Sequence, residues 1–179
     1  MTAQHIILLV INIIGGAAVI GSYFFGIKAQ SGDANILWGG VPPGVRPVYV
    51  VSMLLSALGY FAFIYYLLFR LDPAEVSLAG NLGYGLFYII FLAMLLPSAL
   101  WMPLTNVYVA NPDGGMWLAV RGVLALVGLA SIGLVWALLS LPVKSGAAYW
   151  LAVAGSGYFA FHTAVLDAVV WSALFPRSH

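Results

Sequence analysis

The chain has 179 residues, of which 64% are hydrophobic and 6% are charged, and its formal net charge is +1. A soluble domain carries about 25% charged residues, so this chain has too few charges to cover a water-facing surface. The near-neutral charge excludes a basic nucleic-acid-binding surface, and the lack of cysteine excludes disulfides, thiolate metal sites and cysteine nucleophiles. Composition therefore predicts an integral membrane protein that has the lipid bilayer, and no nucleic acid, as a partner.

Five apolar stretches are long enough to cross a bilayer, which takes about 20 residues in a helix. They cover residues 6–27, 45–69, 82–104, 116–141 and 147–175. Charged residues, glycine and proline bound these stretches, and no strand-like alternation of apolar and polar residues occurs. We expect an all-α bundle of five transmembrane helices, forming one membrane domain over residues 1–179. The first stretch follows no lysine or arginine, and its length favours a retained helix over a cleaved signal peptide.

The distribution of basic residues predicts the orientation in the membrane. With five helices the longest connection, residues 28–44, lies on the same side as residues 105–115 and the C-terminus. That side carries four of the six basic residues, namely Lys28, Arg46, Arg121 and Arg177. The positive-inside bias then predicts that loop 28–44 and the C-terminus face the cytoplasm.

Three ionisable residues fall inside the predicted helices, where hydrocarbon makes such groups costly: Arg121, His162 and Asp167. Arg121 lies roughly 7–8 Å deep in the fourth helix, and Asp167 lies roughly 12 Å deep in the fifth, measured from the same side. A short loop makes these helices antiparallel neighbours, so we expect an ion pair between Arg121 and Asp167. The alternative is that Arg121 extends to the headgroups. Asp167 is too short to do so, and must be paired or protonated.

Small residues recur at every fourth position of the fifth predicted helix, a pattern typical of close helix packing. They are Ala152, Ser156, Ala160, Ala164 and Ala168. Asp167 shares this face, so we expect it inside the bundle, where it either ties helices together or serves a ligand. His162 is expected to point about 140° away from Asp167 at 3.6 residues per turn. A structural role for His162 is favoured over haem ligation, because the other histidines are terminal.

Two short segments resemble the translocator protein family, also called tryptophan-rich sensory proteins. They are residues 41–49 (VPPGVRPVY), at the start of the second helix, and residues 98–101 (SALW), in the third. Ser98 stands where the family favours asparagine, and the family's tryptophan soon after Pro-Pro-Gly and its Pro-Tyr-x-x-Trp pattern in the fifth helix are missing. The resemblance implies a five-helix fold with a cavity near the long loop, binding a tetrapyrrole or a sterol-like apolar molecule.

The residues that would line such a pocket lie toward the loop end of the bundle. They are Trp38, Arg46, Tyr49, Trp101, Arg121, His162 and Asp167. A ligand carboxylate would suit Arg46 and Arg121, and the aromatic rings would supply contact area. The sequence thus favours a membrane-embedded binding protein for an apolar, tetrapyrrole-like or sterol-like ligand in a pocket covered by loop 28–44.

Three other functions stay open. A small accessory subunit of a larger membrane complex fits the scarcity of site chemistry. A proton-coupled carrier would use Asp167 and His162, although no inverted repeat is visible. A lipid-modifying enzyme ranks last, because the sequence has no phosphate-binding loop, no His-Glu-x-x-His motif and no paired carboxylates on one helix face. A homodimer assembled through small-residue faces is also left open.

Overall fold

The computed structural model describes residues 1–30, 34–78, 82–142 and 144–176. It contains the five predicted helices, and each is long and apolar enough to cross a membrane. They are α1 (Ala3–Ala29), α2 (Arg46–Phe69), α3 (Gly85–Ala110), α4 (Gly114–Leu139) and α5 (Ala147–Leu174). The predicted all-α five-helix architecture is confirmed, and the chain is a multi-pass membrane protein.

Local chemistry sets the helix ends. The hydroxyl of Thr2 caps α1, and the carboxylate of Asp113 caps α4 by accepting a hydrogen bond from an N–H of its first turn. The third helix ends at Ala110, six residues later than predicted, because Pro103 lies within it and does not end it. Membrane helices tolerate internal proline because neighbouring helices, hydroxyl side chains and local adjustments of the backbone satisfy the groups that it leaves unpaired.

The helices stand around the bundle in the order α1, α3, α4, α5, α2, and the contact between α2 and α1 is the slightest of the five. The hydrogen bonds from α1 to α2 and to the residues directly after α2 lie in the N-terminal half of α1. Nε2 of His5 lies 3.0 Å from the carbonyl oxygen of Leu71, and the hydroxyl of Tyr60 donates to Asn12. Beyond Asn12, no hydrogen bond joins α1 to α2 in the described residues. We call the whole boundary between α1 and α2 the α1/α2 seam.

Close backbone contacts fix α5 against its two neighbours. A Cβ atom on Gly59 of α2 would lie 2.5 Å from the carbonyl oxygen of Gly155, and one on Gly128 of α4 would lie 2.8 Å from Cα of Ala164. Ala152 is fully buried, so the small-residue face predicted for the fifth helix does face the bundle.

The long connection folds back onto the C-terminal end of α5. Residues 34–44, which we call the cover segment, begin with a short 3₁₀ helix over Ala34–Trp38. Nε1 of Trp171 donates to the carbonyl oxygen of Leu37 at 3.0 Å, and the Gly40 amide donates to the carbonyl oxygen of Leu174 at 3.1 Å. The connection and the C-terminal end of α5 therefore share a side of the bundle, as predicted. Residues 31–33 of the predicted loop and residues 177–179 lie outside the described residues.

Candidate functional site

The C-terminal half of α5 departs from α-helical geometry. It is a π-helix from Phe161 to Trp171, in which hydrogen bonds join residues five apart where an α-helix joins residues four apart. This winding brings His162 and Asp167 to the same side of the helix, with Nε2 and Oδ2 at a distance of 3.6 Å. The prediction that His162 points about 140° away from Asp167 is wrong, because it assumed 3.6 residues per turn.

The predicted ion pair between Arg121 and Asp167 is also wrong. The Arg121 side chain is exposed on α4, and no carboxylate in the described residues lies within ion-pair distance of it. This is the geometry of the alternative, in which a long basic side chain reaches the headgroups. The acidic residue instead contacts His162, on its own helix.

Asp167 lies near two helices other than its own. It interacts electrostatically with Tyr23 of α1 and with Tyr49 of α2. Tyr49 is 4% exposed and donates to the carbonyl oxygen of Leu166 at 3.0 Å. Nevertheless, 33% of the Asp167 side chain is accessible. Part of the Asp167 side chain is therefore accessible where three helices come together beside the α1/α2 seam, and we call this place the Asp167 recess.

Tryptophan side chains lie between this recess and the end of the bundle. The ring centroid of Trp101 on α3 lies 5.5 Å from that of Tyr23 and 5.4 Å from that of Trp171. The ring centroid of Trp117 on α4 lies 6.1 Å from that of Trp171. The indole N–H groups of Trp101 and Trp117 are buried and donate to no acceptor in the described residues. Since an unpaired buried donor costs about 1–3 kcal/mol, an acceptor from outside the chain would be favoured here.

Arg46 fastens the cover segment above this end. Its Nε donates to a carbonyl oxygen of the segment at 3.2 Å, and its guanidinium donates to Oδ1 of Asn35 at 2.9 Å and lies 5.7 Å from the ring centroid of Trp38. Trp38 in turn meets Tyr49 edge-on, with ring centroids 6.1 Å apart. Three predicted site residues thus lie together. With Arg46 engaged here and Arg121 exposed elsewhere, the geometry does not favour the ligand-carboxylate pairing expected of them.

A chain of hydrogen bonds links α5 to α2 and ends at His162, the ion-pair partner of Asp167. The Tyr158 hydroxyl donates to Oγ of Ser52 at 3.1 Å, and that oxygen lies 2.9 Å from Nδ1 of His162. Because Tyr158 donates to Ser52, the Ser52 hydroxyl is free to donate to Nδ1. A neutral ring then carries its proton on Nε2, which faces Asp167. The favoured structural role of His162 fits this bonded environment.

Serine, histidine and aspartate also form the catalytic triad of serine hydrolases, but the serine of this arrangement is buried. Ser52 is 3% exposed, so a substrate carbonyl has no route to its oxygen. The described residues contain no group of three or more side chains that could hold a metal ion. The arrangement can therefore hold a ligand or relay a proton, and we assign it no nucleophile.

Sequence reasoning missed two contributors. Tyr23 lies in the long apolar run of α1 with no charged residue next to it, and Ser52 reads as a residue that joins helices. Only the seam and the π-helix give them a role, and neither feature has a sequence signature. Comparison of the chain with protein-family models, with curated proteins and with solved structures finds no match in any of the three.

Proposed function

We propose that the protein is a membrane-embedded binding protein for an apolar, ring-containing small molecule of tetrapyrrole-like or sterol-like type. The ligand occupies the Asp167 recess beneath the cover segment. The observation that carries this proposal is Asp167, an acidic side chain that is 33% exposed where three helices come together. An ionisable group is costly inside a membrane and is a mark of function there. The resemblance of residues 41–49 and 98–101 to the translocator protein family supports the same class of ligand.

The surroundings of the recess suit such a molecule. Rings of Tyr23, Tyr49 and Trp101 supply apolar area, and the free indole N–H of Trp101 supplies a polar contact, which is the usual composition of a small-molecule site. The cover segment closes the end of the bundle through its bonds to Trp171 and Leu174. The ligand therefore enters from the bilayer through the α1/α2 seam, where the helices are least joined.

The proposal is tested on protein purified in mild detergent. An absorption spectrum and mass spectrometry of an organic extract identify a co-purified ligand, and tryptophan fluorescence follows titration with protoporphyrin IX and with cholesterol. Trp101→Phe should weaken binding severalfold, because it removes the free N–H, and it breaks no hydrogen bond within the protein. Trp136→Phe, at a 53% exposed position on α4, is the matched control. A ligand-free protein that takes up neither probe would contradict the proposal and favour an accessory-subunit role.

A second candidate is proton-coupled transport, and the chain from Tyr158 through Ser52 and His162 to Asp167 favours it. Such a chain can pass a proton along a helix interface if each hydroxyl and ring nitrogen both accepts and donates. Liposomes that enclose a pH-sensitive dye report proton flux. Ser52→Ala should abolish the flux, whereas Ser56→Ala, one turn along α2 and without a hydrogen-bond partner, should leave it intact. Flux that survives Ser52→Ala would remove this candidate.

We further propose that the end of the bundle bearing the cover segment faces the cytoplasm. Lys28, Arg46 and Arg121 lie toward this end in the helices that the structure describes, and Arg70 and Lys144 lie toward the other. A fluorescent protein fused to the C-terminus should fluoresce, and an alkaline phosphatase fused there should be inactive. The reverse pattern would invert the topology.

A further inference from the structure

No lysine or arginine of the described residues balances the charge of an ionised Asp167. Asp167 is the only acidic residue within the five membrane-spanning helices. Of the basic residues in the same helices, Lys28 and Arg121 are exposed and Arg46 is bound to the cover segment. His162 is the only side chain of the described residues near enough to pair with the carboxylate, and it carries a positive charge only when protonated.

Aromatic side chains lie around Asp167. Tyr23 and Tyr49 lie within electrostatic reach of the Asp167 carboxyl, and Trp171 follows it one turn later on the same helix. Trp101 connects these rings, through its contacts with Tyr23 and Trp171. Aromatic faces attract organic cations, and a carboxylate in a low-dielectric setting attracts them more strongly. The same surroundings disfavour an anion.

We propose that the ligand of the Asp167 recess is a lipophilic organic cation, held by an ion pair with Asp167 and by the faces of the surrounding rings. This inference rests on the proposed binding function and specifies the charge of its ligand. It replaces the carboxylate-bearing ligand expected from Arg46 and Arg121, since neither guanidinium is available at the recess. The cation supplies the positive charge that a neutral His162 ring does not give the carboxylate.

The test compares two ions of nearly the same size and shape but of opposite charge. Equilibrium dialysis of the purified protein measures binding of tetraphenylphosphonium and of tetraphenylborate, and phenyltrimethylammonium serves as a smaller cation. We expect at least one cation to bind and tetraphenylborate to bind at least tenfold more weakly. Asp167→Asn should weaken cation binding tenfold or more, Asp167→Glu should restore part of it, and the control Arg121→Gln should leave it unchanged.

The outcomes separate the two proposals. If protoporphyrin IX or cholesterol binds but neither cation does, the binding function stands and the cationic ligand is overturned. Equal binding of tetraphenylborate, or cation binding that Asp167→Asn leaves unchanged in a protein of normal melting temperature, would overturn it too. If none of the probes binds, both proposals fail. Should Asp167→Asn not fold, the contrast between the two tetraphenyl ions in the unaltered protein decides the question.

Discussion

Nε2 of His162 lies 3.6 Å from Oδ2 of Asp167, although the two residues are five positions apart in one helix. Only the π-helical winding of Phe161–Trp171 permits this contact. One consequence is that the carboxylate takes its ion-pair partner from its own helix and not from α1 or α2. A second is that His162 links it to Ser52 of α2 through the other ring nitrogen. Short π-helical insertions are frequent at functional sites, and this longer one places both ionisable groups of α5 together.

We predict energetic coupling between these two residues. A double-mutant cycle of His162→Gln and Asp167→Asn, measured by reversible unfolding in detergent, should give a coupling free energy of about 1 kcal/mol, because the side chains are in contact. The same cycle with Arg121→Gln in place of His162→Gln should be additive to within about 0.5 kcal/mol, since Arg121 is exposed elsewhere. Coupling of Asp167 to Arg121 and none to His162 would refute the placement of the carboxyl.

Tyr49→Phe should lower the free energy of unfolding by about 1 kcal/mol. The change removes the hydroxyl that donates to the carbonyl oxygen of Leu166 and leaves a ring of the same size in a buried position. Chemical denaturation in detergent measures the loss. Tyr65→Phe is the control, because that side chain is 45% exposed and its hydroxyl bonds only to Arg70 at the surface. An equal effect of the two substitutions would argue against the bond to Leu166.

The contact between α2 and α5 should not tolerate a methyl group. Gly155→Ala places a Cβ atom 2.8 Å from backbone atoms of Gly59, so the helices must separate, at a cost of about 1–3 kcal/mol. Gly157→Ala, two residues along the same helix, meets nothing within 4 Å and should be neutral or slightly stabilising. Thermal melting in detergent compares the two variants. Equal melting temperatures would show that α2 and α5 are not in backbone contact.

Sequence reasoning was sufficient for the helices because their signal is redundant. Each span repeats the same apolar character over 24–28 residues, and the small residues of α5 mark its buried face. It also placed Asp167 inside the bundle. It failed in the second half of α5, where the change from α-helix to π-helix rotates the side chains that follow. The π-helix that begins at Phe161 has no proline or glycine within it, so an α-helical periodicity was carried through to Asp167 and put His162 on the wrong side.

The partners of Arg46 and Arg121 were unpredictable for a different reason. A guanidinium near a helix end can reach in any of several directions, and its choice depends on what the neighbouring loop offers. Arg46 finds the cover segment and its Asn35, whereas Arg121 faces away from every described carboxylate. That choice is made by tertiary packing, which the order of residues along α2 and α4 does not encode.

The cover segment should open when its contact with α5 is blocked. A Cβ atom on Gly40 would lie 2.1 Å from the carbonyl oxygen of Leu174, the same oxygen that accepts the hydrogen bond of the Gly40 amide. Because that oxygen is backbone and cannot swing away, Gly40→Ala must lift the segment. We expect amide hydrogen exchange over residues 37–41 to accelerate about tenfold, which corresponds to about 1.4 kcal/mol. Gly44→Ala, with nothing within 4 Å, should leave the exchange rate unchanged.

If the recess holds protoporphyrin IX, dissociation of this ligand should accelerate in Gly40→Ala and not in Gly44→Ala. Unaltered exchange in Gly40→Ala would mean that the segment does not rest on the end of α5.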